Sequence, residues 1–123
     1  MVKNYSIIDS RVTEGRGQKD RISVYISPDE TERRHLIDHH QIDEHTLLSA
    51  LDPDELSRIE IESDHIAIIL KSPVNYQAEH AFEFLVASMG MFLFEDKLII
   101  VMAEDLPIFD SKTFSRVSRL AET

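Results

Sequence analysis

The sequence of 123 residues has no cysteine and no tryptophan, and it contains only three glycines and four prolines. Because cysteine is absent, the chain has no disulfide, no thiolate metal ligand and no thiol nucleophile, which fits a reducing compartment. The N-terminal stretch "MVKNYSIIDS" lacks the apolar segment of a signal peptide. No apolar run reaches the ~20 residues that span a bilayer. We therefore expect the chain as given to be soluble.

Cationic side chains are also scarce, with 13 Lys and Arg against 23 Asp and Glu, and the formal net charge is −10. Binding to nucleic acid requires a concentrated Lys and Arg surface, so we expect no nucleic-acid partner. Anionic lipid surfaces are disfavoured for the same reason. An acidic surface suits metal cations, basic protein partners or solubility alone, and solubility is its commonest role.

The length suits a single domain, residues 1–123. The polar stretch "SRVTEGRGQKDR" is predicted to be a loop between the first two strands. The order of elements predicts an α/β fold of mixed α+β type, with a mixed sheet flanked by helices. The predicted elements are strands at 5–9 and 21–27, a helix from 27 to about 41, a brief helix at 47–51, a helix from 53, a strand region from 59 that Pro73 ends, strands at 82–94 and 97–103, and a helix capped by Asp110 or Ser111.

Three local patterns predict how these strands are buried. In "RISVYIS", Ile22, Val24 and Ile26 share one face, which is typical of a strand with one buried side. The run "HIAIILK" is almost continuously apolar, which predicts a strand covered on both faces. Gly90, inside "FLVASMGMFLF", predicts a core strand with a bulge or a close approach at the glycine.

Two helix starts are predicted from capping signals. In "SPDE", Ser27 is the predicted N-cap, Pro28 the first helical residue, and Glu30 the acid that completes a capping box. The same pattern recurs in "DPDE", where Asp52 is the predicted cap and Pro53 the first helical residue.

Enzyme motifs are absent from the sequence. It contains no GxSxG, no P-loop and no GxGxxG, and "EGRGQK" has too few glycines and no suitably placed lysine to hold a phosphate. We therefore expect that the chain is not an enzyme.

Histidines provide one candidate metal site. His35 and His39 are four residues apart on a predicted helix, so both imidazoles can reach one Zn²⁺ ion, with His40, Asp38 or His45 as possible additional ligands. The glutamate of the HExxH zinc-protease pattern is missing. The alternative is a polar helix face that happens to hold histidines, and the residues alone favour that alternative.

Carboxylates provide the other candidate. Asp52, Asp54 and Glu55 favour the start of a helix through the cap and the macrodipole, and that role alone explains them. A second role would be binding of hydrated Mg²⁺, which keeps several waters and needs only one or two carboxylates.

Four stretches carry a family resemblance: "HTLL" at 45–48, "SRIE" at 57–60, "SDHIAIILK" at 63–71 and "GMFLFEDKLIIVMAED" at 90–105. They resemble the "HPLxLED" segment, the "RPKVE" stretch, the turn with its apolar strand, and the hairpin of the cytoplasmic N-terminal domain in the CorA family of magnesium transporters. The sequence departs from the family where "LSA" at Leu48–Ala50 replaces the acids of "LED", where Arg58 replaces a lysine, and where "YIS" at Tyr25–Ser27 stands for "WID".

The resemblance implies an α/β/α sandwich that assembles as a homopentamer on the cytoplasmic face of the membrane. Carboxylates at the subunit boundaries of such a ring would bind Mg²⁺, and Asp52 and Asp54 are the local candidates. The family's stalk helix, membrane helices and "GMN" pore motif are missing; Gly90-Met91-Phe92 is not that motif. We therefore expect this chain to be the N-terminal fragment of a longer membrane protein, attached to the membrane only through helices it does not contain.

The leading hypothesis is thus a regulatory, ion-sensing domain of a CorA-type transporter of Mg²⁺ or another divalent metal ion. A zinc-transporting relative is a variant of this hypothesis, and the pair His35 and His39 would suit it. The alternative from a different class is a free-standing acidic module that binds a protein partner.

Overall fold

The computed structural model describes residues 1–8, 11–14, 21–75 and 84–104. The strand and helix predictions that fall in these ranges are mostly confirmed, whereas the predicted helix from Asp110 or Ser111 lies outside the described residues. The elements are β1 (Val2–Ile8), β2 (Arg11–Glu14), β3 (Ile22–Ile26), α1 (Glu30–Asp38), α2 (Glu44–Leu51), β4 (Arg58–Ile61), β5 (His65–Asn75), β6 (Phe84–Phe94) and β7 (Leu98–Met102).

The strands form one seven-stranded sheet in the order β2-β1-β3-β7-β6-β5-β4. Strands β3 and β7 pair in parallel, and the other neighbouring pairs are antiparallel. This mixed sheet with packed helices confirms the predicted α/β class. The described residues place α1 and α2 on the same face of the sheet, so the three-layer sandwich stays a prediction.

Two predictions were wrong, one about a loop and one about the end of a strand. The predicted loop "SRVTEGRGQKDR" contains β2, because backbone pairing with β1, from Tyr5 with Glu14 to Ile8 with Arg11, forms a ladder that needs no apolar pattern. Pro73 was predicted to end its strand, but β5 continues to Asn75 alongside β6. Since β4 pairs with β5 only as far as Ile69, the strand has one described neighbour at the proline, where a missing N–H is tolerated.

The main core lies between the two helices and the sheet. Leu36 of α1 and Leu47 of α2 are both fully buried, and they pack against the central strands. Eight buried residues make up this cluster: Tyr25, Leu36, Ile42, Leu47, Ala67, Phe92, Ile99 and Val101.

A second apolar cluster lies on the opposite face of the sheet and contains Ile22, Val24 and Ile26. All five residues of β3 are buried, so the prediction of one buried side was wrong. The reason is that β3 is an inner strand, between β1 and β7, and Tyr25 on its other face belongs to the main core. The opposite error occurred in β5, where Leu70 is 37% exposed although coverage on both faces was predicted.

Helix α1 begins two residues later than predicted. Its N-cap is Asp29, whose carboxylate accepts the Glu32 N–H at 2.8 Å, while Glu32 Oε1 accepts the Asp29 N–H at 3.1 Å. Ser27 stays with the sheet because its N–H donates to the Met102 carbonyl at 2.8 Å, and its φ is 45°. Ser27 and Asp29 are each followed three residues later by a glutamate, so both fit the capping-box pattern. The hydrogen bond from Ser27 to β7 selects Asp29 as the cap.

The predicted helix after Pro53 was wrong. Helix α2 begins at the N-cap Asp43, and Asp52 is its C-cap. The Asp52 carboxylate accepts the Asp54 N–H at 2.9 Å, a local turn that competes with helix formation. Because β4 begins at Arg58, the remaining residues are too few for a stable helix.

Candidate functional site

Three histidines meet where α1 ends. His35 and His39 lie one helical turn apart, and the His39 N–H donates to the His35 carbonyl at 2.9 Å. Beyond them the chain reverses at Gln41, whose φ of 57° is in the left-handed region. The third imidazole, His40, lies directly before this reversal, which is closed by the Ile42 N–H donating to the Leu36 carbonyl at 3.2 Å.

The three rings are in mutual contact. The ring centroids of His35 and His39 are 4.8 Å apart and nearly parallel, and His40 meets them edge-on at 5.2 and 4.8 Å. One ligand atom from each ring lies within 4.8 Å of those of the other two. Among the described residues, only this group places three or more potential ligand atoms so close together. We call His35, His39 and His40 the histidine triad.

Burial and nearby charge set the protonation of the triad's inner member. His40 is half-buried, with its ring centroid 6.3 Å from that of Phe94. Burial, followed by the positive charges of Lys97, His39 and His35, lowers the pKa of His40 from 6.5 to about 4. The ring is therefore neutral at physiological pH, with a nitrogen lone pair available.

The sequence-based pair is thus brought together, and one of its three possible additional ligands, His40, joins it. Asp38 and His45 are not part of the group. Whether these side chains bind metal stays a prediction.

A lysine lies beside the acidic segment and contacts the end of helix α2. The Lys71 ammonium donates to the Ser49 carbonyl at 3.2 Å, to the Asp52 carbonyl and to the Ser88 hydroxyl. Ser88 in turn donates to the Ala50 carbonyl. Strands β5 and β6 therefore satisfy the last carbonyls of α2, and they hold a cation at the negative end of that helix.

Asp52 and Asp54 are both exposed, on a turn that we call the acidic turn (52–55). Burial lowers the pKa of Lys71, whereas the negative charges of Asp52, Glu55 and Asp54 oppose that change. The lysine therefore already lies in the field of these carboxylates, and it offsets part of their attraction for another cation.

A second acidic region was missed by the sequence reasoning. A pocket of about 410 Å³ has four carboxylates in its lining, from Asp43, Glu60, Glu62 and Asp64. Thr46 Oγ1 lies 3.2 Å from Asp43 Oδ2 and 2.8 Å from Glu60 Oε2, and it links the helix cap to β4. The signal that could have found this pocket is the alternation of acids in "IEIESD", which puts every second residue on one side of the chain.

At one wall of this pocket, His65 is buried and its Nδ1 lies 2.7 Å from Asp64 Oδ1. Its ring stacks on Phe94 with 4.7 Å between the centroids. The ring of His65 therefore packs in the core while its polar edge contacts a partly exposed acid, which accounts for a buried histidine without a catalytic role.

Comparison with solved structures identifies the fold. The soluble domain of CorA from Methanocaldococcus jannaschii matches 98% of this chain with a TM-score of 0.60 and 19% identity, and the chain spans 44% of that structure. The complete CorA magnesium transporter from the same organism matches with a TM-score of 0.58 and 22% identity, and the match covers 98% of this chain and 36% of that one. The full-length CmaX protein matches with a TM-score of 0.63 and 12% identity, and the match covers 94% of this chain and 38% of that one.

At these identities the likeness establishes the fold alone, and that fold is the one of the CorA soluble domain. The chain matches no protein-family profile, and no curated protein is close enough in sequence to count as a relative. Of these structures, the complete CorA is that of a magnesium transporter. Within the described residues, neither helix has the length and apolar character needed to cross a bilayer.

Proposed function

Because the chain has the fold of the CorA soluble domain, we propose that it is the cytoplasmic domain of a CorA-type divalent cation transporter and that it senses Mg²⁺. The observation that carries the proposal is a likeness over 98% of this chain to structures of which it spans 44% and 36%. The larger part of each of those chains therefore lies beyond the region this chain matches.

The physical basis of sensing is repulsion between carboxylates of neighbouring subunits. Acids that face each other across the boundary of a pentameric ring disfavour its closed form, and a hydrated divalent cation between them removes the repulsion. Since coupling between sites is reciprocal, the state of the ring then sets the affinity for the ion as much as the ion sets the state of the ring.

Asp52 and Asp54 are our proposed local ligands, because both are exposed and lie two residues apart on one turn. Lys71 beside them weakens a site made from this turn alone. Binding to one subunit should therefore be weak, and it should strengthen when further carboxylates from a neighbouring subunit or from the rest of the transporter are present.

The experiment is a Mg²⁺ titration followed by the backbone amide signals in NMR. We compare the wild type with an Asp52→Ala, Asp54→Ala double variant and with Glu62→Ala, which removes an exposed acid from the separate pocket. Shifts that centre on residues 52–55 and disappear only in the double variant support the assignment. Equal binding by the wild type and the double variant would rule out both aspartates as ligands.

A free-standing protein-binding module is the second candidate, and the exposed edge of the sheet favours it. Among the described strands, β4 lies at the edge of the sheet, and Ile59 and Ile61 are 68% and 81% exposed. Cross-strand pairing puts Ile61 beside Ile66, and Ile66 beside the half-exposed Leu93, so the apolar surface continues inward. Such a surface suits contact with another protein.

The reading frame beyond Thr123 separates the two candidates. A downstream apolar segment that carries a GMN motif would support the transporter, and a stop codon directly after Thr123 would favour the module.

A further inference from the structure

We propose that His35, His39 and His40 form a binding site for a transition-metal ion, with Zn²⁺ held by three imidazoles and a water. The inference goes beyond the proposed Mg²⁺ response and does not depend on it, because it concerns other residues and another class of ion. It rests on three mutually contacting rings whose ligand atoms lie within 4.8 Å of one another.

The donor set decides the class of metal. Imidazole nitrogen suits Zn²⁺, Cu²⁺ and Ni²⁺, whereas Mg²⁺ prefers carboxylate, carbonyl and water oxygens in an octahedron. Three protein nitrogens with one open position are a common arrangement for Zn²⁺, with a water as the fourth ligand. The triad should therefore discriminate strongly between Zn²⁺ and Mg²⁺.

Metal binding requires the three rings to move closer together and to turn. Zinc–nitrogen bonds of about 2.0–2.1 Å in a tetrahedron place the nitrogens about 3.3 Å apart, so ligand atoms that lie within 4.8 Å of one another must close by up to about 1.5 Å. The nearly parallel rings of His35 and His39 must also turn until their lone pairs point at one ion. His35 and His39 are exposed and can rotate toward a common point without disturbing the core. His40 is half-buried and serves as the fixed member.

The backbone already holds the three residues in place. The helical spacing keeps His35 and His39 on one face, and the left-handed Gln41 turns the chain immediately after His40. The helix end and the turn after it are held by backbone hydrogen bonds from His39 to His35 and from Ile42 to Leu36. One charge opposes the site, since the Lys97 ammonium acts on His40.

The test is isothermal titration calorimetry with Zn²⁺ on the wild-type chain in a buffer that does not bind zinc. The variants are His35→Gln, His39→Gln and His40→Gln, and the matched control is His45→Gln, an exposed histidine of α2 that is outside the triad. We expect one ion per chain, a loss of at least tenfold in affinity for each triad variant, an unchanged affinity for the control, and no displacement by millimolar Mg²⁺. Lys97→Met should tighten binding, because it removes a nearby positive charge.

Imidazole NMR spectra of the wild type give an independent readout that no substitution can disturb. Zinc-dependent shifts confined to the signals of His35, His39 and His40 support the site. Absence of binding, or binding that survives in all three triad variants, would overturn it. Neither result bears on Mg²⁺ binding at residues 52–55, so failure of this site and failure of the proposed function are distinguishable.

Discussion

Replacing Gly90 by alanine should destabilise the protein, because helix α2 approaches strand β6 closely at that position. A Cβ added to Gly90 would lie 2.6 Å from the Cβ of Ala50 and 3.1 Å from Cε2 of Phe92. Carbon atoms in contact prefer about 3.5–4.0 Å. The helix would therefore have to move away from the sheet by about 1 Å, and Phe92, which is fully buried, would have to shift with it.

The expected cost follows from two opposing effects. Overpacking of a well-packed core costs about 1–3 kcal/mol. Replacing glycine also restricts the unfolded chain, which returns about 0.4–1 kcal/mol where alanine can adopt the native backbone. Gly90 has a negative φ, so this gain applies. We expect a net loss of about 1–2 kcal/mol in the free energy of unfolding, measured by urea denaturation with far-UV circular dichroism.

The matched control is the double variant Gly90→Ala, Ala50→Gly, which moves the methyl group from one side of the contact to the other. Ala50→Gly removes the Cβ that obstructs alanine at position 90, although on its own it costs about 1 kcal/mol in helix propensity. The double variant should therefore be more stable than the sum of the single changes predicts, by about 1–2 kcal/mol. Strict additivity, or a stabilised Gly90→Ala protein, would refute the close-packing argument.

Three further predictions concern the helix ends. Lys71→Met should lower the free energy of unfolding by about 1–3 kcal/mol, because it removes the charged hydrogen bonds to the carbonyls of Ser49 and Asp52; unchanged thermal stability would refute this. Asp43→Ala should cost about 1 kcal/mol and Asp43→Asn much less, since asparagine also caps. The Thr46 N–H lowers the pKa of Asp43 below its usual 3.8, so the stability that the charge adds is present at neutral pH and is lost as the pH falls through 3.8 and below; acid titrations in which Asp43→Asn keeps the wild-type pH dependence would contradict this. Gln41→Gly should leave stability equal or slightly higher in chemical denaturation, because its φ of 57° suits glycine; a marked loss would show that the glutamine side chain stabilises the turn.

Much of the architecture follows from short-range patterns. The hairpin of β6 and β7 was predicted because two apolar runs flank the short polar turn Glu95-Asp96, and the pairing of Leu93 with Leu98 confirms it. The helical spacing of His35 and His39 likewise predicted that the two rings meet. In each case the interacting residues are close in sequence, so a local rule contains the required information.

Other features depended on contacts between residues distant in sequence. Ser27 and Asp29 were equally good caps by local rules, and the hydrogen bond from Ser27 to β7 decided between them. Lys71 and Ser88 closed the end of α2 from across the sheet.

The sequence by itself determined the class of fold, because apolar periodicity and turn chemistry are local properties of the chain. It also determined the excess of negative charge and the absence of thiol chemistry, since both are matters of composition. Only the tertiary structure decided which acids share a pocket, which helix ends are closed by side chains, and which of the three possible additional ligands joins His35 and His39. Those outcomes depend on sheet order and on turns, where backbone hydrogen bonds between distant residues outweigh local preference.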